Sequence, residues 1–132
     1  MARRVLVQSV KSGADAESRR VLAGMATTNA DPTLATQGAL YQGGRGFWVS
    51  FVVGGSAGPT FNVALWCYDH VAQRWLPTEV TWRAADSNAV AATLRQWVHF
   101  EGGPVRLYLR VESVAGTNPT LDAWISEVVD EP

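Results

Sequence analysis

From Phe47 onward the apolar residues recur with a period of two, in short runs broken by Gly, Pro, Asn and Asp. The first run is Phe47-Trp48-Val49-Ser50-Phe51-Val52-Val53, ended by Gly54-Gly55-Ser56-Ala57-Gly58-Pro59. Residues 61–68 form the next, and Asp69-His70-Val71-Ala72 turns the chain into Arg74-Trp75-Leu76. Pro77 interrupts that run before Val80-Thr81-Trp82, and Asp86-Ser87-Asn88 reads as loop. Residues 89–93 are at most one helical turn. Residues 94–100, closed by Gly102-Gly103-Pro104, then residues 105–112 and 121–125 complete the set. β-branched and aromatic runs at this spacing predict an all-β fold, an antiparallel sandwich or barrel.

Residues 1–46 lack that pattern. Ser12-Gly13-Ala14-Asp15 with Glu17 fits either a short capped helix reaching Leu22 or an extended arm. Asn29-Ala30-Asp31-Pro32-Thr33 is turn chemistry, and Gly43-Gly44-Arg45-Gly46 is a flexible entry to the run that starts at Phe47. The chain therefore divides into a weakly structured N-terminal arm, 1–46, and a β-sandwich domain, 47–132. Removing residues 2–30 is expected to leave a folded domain that assembles poorly.

With 132 residues, 47% hydrophobic and only 17% charged, the chain can fill a core and is not disordered. Its net charge of −1 argues against binding nucleic acid by neutralising phosphates. No apolar run approaches the roughly 20 residues that span a bilayer, so no membrane partner is expected. Only Val5-Leu6-Val7 follow Arg3-Arg4, too few for a secretion leader, which points to the cytoplasm or to export within an assembly. Ten of the eleven basic residues are arginine, the cation whose planar fork suits interfaces.

Catalytic patterns are weak. His70 lies in a turn and His99 within a strand, with no His-x-His pair; no metal site and no cofactor are expected. Residues 54–60 form a glycine-rich loop without the lysine of a phosphate loop. Cys67 alternates with Phe61, Val63 and Leu65, as an inert core thiol would.

The aromatic residues say more. In residues 105–112, Val105, Leu107, Leu109 and Val111 share one face, opposite Arg106, Tyr108, Arg110 and Glu112; Leu121, Ala123 and Ile125 oppose Asp122 and Trp124. Read as a hairpin, the register that sets Arg110 against Asp122 and Tyr108 against Trp124 avoids a clash of Glu112 with Asp122. Trp97, Arg106, Tyr108, Arg110 and Trp124 then project outward as a candidate interface. The same residues could instead stack a glycan or be covered by the arm.

Asn62-Val63-Ala64-Leu65-Trp66-Cys67-Tyr68-Asp69 with its turn to Arg74-Trp75-Leu76 resembles the small jelly-roll structural proteins of tailed bacteriophage particles. So does Val105-Arg106-Leu107-Tyr108-Leu109-Arg110-Val111, running through Gly116-Thr117-Asn118-Pro119 into Leu121-Asp122-Ala123-Trp124-Ile125. Such proteins decorate capsids, form vertex or spike bases, or act as adaptors. The resemblance implies an antiparallel, jelly-roll-like β-sandwich and a non-enzymatic subunit of a virion that self-associates, as a trimer or pentamer, and attaches to a capsid or other virion protein. It carries over no functional residue. Two other readings stand beside it: a carbohydrate-binding sandwich using exposed Trp and Tyr, and a small jelly-roll enzyme with His99 and Glu101 as acid and base.

Overall fold

A computed structural model describes residues 20–126. Eight strands follow in order: β1 Arg20–Met25, β2 Ala39–Tyr41, β3 Gly44–Gly54, β4 Ala57–Asp69, β5 Arg74–Trp82, β6 Leu94–Gly102, β7 Val105–Thr117 and β8 Thr120–Ser126. They form two four-stranded sheets, ordered β1-β8-β3-β6 and β2-β7-β4-β5, with every neighbouring pair antiparallel. Only the β4–β5 connection stays within one sheet; every other connection passes to the facing sheet. That wiring is a jelly roll.

The alternation read from the sequence fills the space between the sheets. Phe47, Val49 and Phe51 of β3 and Leu121, Ala123 and Ile125 of β8 face Phe61, Val63 and Leu65 of β4 and Leu107, Leu109 and Val111 of β7. All are buried. Burying each large side chain contributes about 1.5–3 kcal/mol, which outweighs any single pairing on the outer faces.

The predicted β7–β8 hairpin does not form. The two strands lie in opposite sheets, β7 between β2 and β4 and β8 between β1 and β3. Tyr108 pairs with Trp66 and Arg110 with Ala64, while Trp124 pairs with Ser50 and Asp122 with Val52. Two strands that each carry one apolar face can lie side by side or confront each other across a core. Here they confront, and cross-strand preferences of a few tenths to about 1 kcal/mol do not decide against that.

The division at residue 46 is also corrected. Residues 20–25 and 39–41 are strands of the sandwich, pairing with β8 and β7, and position 47 falls inside β3. Leu22 and Tyr41 belong to the core. The helix considered toward Leu22 gives way to strand at residues 20–22; its earlier part, like the rest of the arm before residue 20, lies outside the described residues. Pro77 sits within β5 rather than ending it, which an edge strand tolerates. Residues 89–93 form no helix; Val90 is buried and bridges Phe61.

Candidate interaction surfaces

The two outer faces of the sandwich are finished differently. Over β2-β7-β4-β5 the connection between β1 and β2, residues 26–38, forms a strap. Asn29 begins it. Its Nδ2 donates to the carbonyl of Leu109 at 3.1 Å, and its Oδ1 accepts from the amide of Val111 at 2.8 Å. One side chain thereby continues the ladder that β2, only three residues long, leaves short on that edge of β7. Tyr108 Oη donates to the Ala30 carbonyl at 2.7 Å, and Arg110 Nε meets Asp31 Oδ1 at 2.7 Å. Trp75 Nε1 donates to the Leu34 carbonyl at 2.8 Å, and Arg106 Nη1 to the Gly38 carbonyl at 3.1 Å. Gln37 Oε1 accepts from the amides of Thr33 and Leu34, both at 2.7 Å, and holds the strap's own turn.

Beneath the strap, Trp75 packs between Tyr68 and Tyr108, with ring centroids 5.6 and 5.9 Å away. Trp75 is outward on its strand yet only 5% exposed. Burial raises the Tyr108 hydroxyl above its ordinary pKa. Gly38 ends the strap at a positive φ of 75°, where a Cβ would lie 2.1 Å from the Leu107 carbonyl oxygen. The close approach to β7 therefore needs glycine. At the far end of β7, Glu112 is held by Arg83 through two bonds of 2.8 Å, which lower its carboxyl pKa.

The outer face of β1-β8-β3-β6 carries Trp48, Trp97 and Trp124, all half-buried. Trp48 and Trp97 meet edge to face at 5.3 Å, and the Arg95 guanidinium lies 4.3 Å from the Trp48 ring centre. Arg20 lies over Trp124 at 5.4 Å and bonds Asp122 at 2.6 Å. The hydrogen bond from Arg20 is the main cause of the lowered Asp122 pKa. Trp97 covers Gly46, whose Cβ would meet the Trp97 ring at 2.6 Å. Within the described residues, these aromatic and charged contacts run between the face's own strands; no strap crosses it.

The five candidate interface residues thus part company. Arg106, Tyr108 and Arg110 lie under the strap and bond to it, whereas Trp97 and Trp124 lie on the opposite, unstrapped face. Sequence reading missed Trp48 and Arg20, and set Asp122 against Arg110 rather than Arg20, because strands distant in sequence bring these residues together. The strap residues had a signal, the turn chemistry of Asn29 to Thr33, but nothing in it named their destination.

His99 and Glu101 do meet, at 3.4 Å, on an exposed part of β6. His70 packs on the Tyr68 ring at 5.3 Å. Cys67 belongs to the margin of the core, and burial raises its thiol pKa. Among the described residues no group of three or more His, Cys, Asp or Glu could hold a metal ion, and no helix is long and apolar enough to cross a membrane. No family model, no curated protein and no solved structure matches the chain.

Proposed function

We propose that this chain is a non-enzymatic structural subunit that self-associates and attaches to a larger protein assembly, in the manner of the small jelly-roll proteins of tailed phage particles. The observation that carries this reading is the unstrapped face, where Trp48, Trp97 and Trp124 stand among Arg95 and Arg20. Tryptophan and arginine dominate the energetics of protein interfaces, because they offer large contact area and several hydrogen bonds per side chain. Jelly rolls serve both capsid and sugar-binding proteins, so the choice rests on the face rather than on the fold. Guanidinium groups already lie over the rings of Trp48 and Trp124, which favours a protein contact over the bare ring a sugar stacks on.

Light scattering at micromolar concentration is expected to give a mass that is a multiple of 14.3 kDa. Capsid and portal genes beside its gene would support the virion setting. A monomer that persists at high concentration and binds a glycan array would replace the proposal with the carbohydrate-binding alternative.

A further inference from the structure

The four edge strands differ in how they are protected against pairing with another chain. β1 has register shifts on both sides of Leu22. β2 is three residues long. β5 carries Pro77, close to a register shift between Ala64 and Trp66 of its neighbour. Bulges, short length and proline are the usual ways of blunting an edge. β6 is the least protected: it has nine residues and no proline, its one register shift lies at its far end opposite Gly44 and Gly46, and from Phe47 with Val98 to Phe51 with Leu94 its register is unbroken. Among the described residues its only strand partner is β3. Gln96 Oε1 accepts a 2.7 Å bond from Trp82 Nε1 of the facing sheet, which holds the strand in place.

The sequence of β6 is complementary to itself when reversed. It reads Leu94-Arg95-Gln96-Trp97-Val98-His99-Phe100-Glu101-Gly102. A second copy laid antiparallel beside it, with a two-fold axis at Val98, sets Arg95 against Glu101 and Trp97 against His99. Each contact occurs twice by symmetry. Opposite charges and paired aromatic rings are the favourable cross-strand combinations. The neighbouring registers that keep both core faces on one side lack this match. An axis at Trp97 opposes Arg95 to His99 and Glu101 to Thr93. An axis at His99 opposes Arg95 to Gly103 and Glu101 to Trp97.

We propose that two copies of this chain pair β6 to β6 about an axis at Val98, extending the β1-β8-β3-β6 sheet from one copy into the next. The inference rests on the self-association reading and names its surface. It also places the Trp48, Trp97 and Arg95 clusters of both copies side by side, so the unstrapped face becomes one larger surface.

Sedimentation at low salt on the full chain tests it through Arg95→Glu, Glu101→Arg and the double charge swap. All three changes are at exposed positions, and circular dichroism checks the fold of each variant. Each single change converts two attractions per dimer into two repulsions, and is expected to weaken dimerisation roughly tenfold or more. The double swap is expected to restore it. Arg95→Glu also removes the cation over Trp48, but Glu101→Arg does not, so agreement between the two singles assigns the effect to the pair. An oligomer unaffected by either single change overturns edge pairing while leaving self-association intact. Singles that weaken dimerisation without rescue by the swap overturn the register. A wild-type monomer overturns edge pairing and self-association together.

Discussion

The two outer faces of this sandwich are built from the same residue types and put to different use. On β2-β7-β4-β5, Arg106, Tyr108 and Arg110 look from their sequence like an interface, and they are one, but with the chain's own residues 26–38. On β1-β8-β3-β6, Trp48, Trp97 and Trp124 with Arg95 and Arg20 have no such cover within the described residues. An outward row of Tyr, Trp and Arg therefore marks a contact without saying whether its partner is internal. What decides is whether a neighbouring loop can supply acceptors, as the carbonyls of Ala30, Leu34 and Gly38 do.

The harshest way to test this contrast is to cut into both sides at once. Deleting residues 2–30 takes away β1, the core side chain of Leu22 and the Asn29 link to β7. That truncation is expected to lose cooperative thermal unfolding altogether, contrary to the expectation from sequence. A folded truncation would show that β1 and the Asn29 link are dispensable.

Trp75→Ala is expected to lower the unfolding free energy by about 3–5 kcal/mol, as for a buried aromatic, although its strand position is outward. Denaturant unfolding of the monomer measures it. Asn29→Ala comes next, at about 1–3 kcal/mol, because it strands the Leu109 carbonyl and the Val111 amide together. Faster exchange of the Val111 amide should accompany it.

Acid affects both faces alike. Asp122 is held below its ordinary pKa chiefly by Arg20, and Glu112 chiefly by Arg83. Each folded pKa lies below its unfolded value, so the stabilisation is fully present above the ordinary carboxylate range of about 4. It is lost as pH falls through the folded values. Both pairs are partly exposed, so the effect is small and weakens with salt. Asp122→Asn and Glu112→Gln should each flatten the acid limb of a stability–pH curve.

The layering was legible in the sequence because burial enforces a period of two: the inward rows of β3, β4, β7 and β8 were all readable. The partners of those rows were not. Val105 to Val111 and Leu121 to Ile125 alternate equally well as neighbours in one sheet or as opposing layers, and no local pairing rule separates the two. β1 and β2 escaped because they are short and one is irregular: Ala39-Leu40-Tyr41 is too brief to show a period, and β1 is broken by register shifts. Trp97 and Trp124 were legible as outward residues, but their separation from Tyr108 follows from the sheet order alone.

The central claim, one face closed by the chain and the other open to a partner, is tested most directly by measuring two quantities on Tyr108→Ala and Trp97→Ala. These are the association constant by sedimentation, and the unfolding free energy under conditions where the monomer dominates. Tyr108→Ala is expected to lower stability by about 1–3 kcal/mol, through its lost bond to Ala30 and its packing on Trp75, with association of the folded protein unchanged. Trp97→Ala, on β6, is expected to weaken association by about 2 kcal/mol with a smaller loss of stability. The reverse pattern, association lost with Tyr108 and stability alone lost with Trp97, would contradict the account.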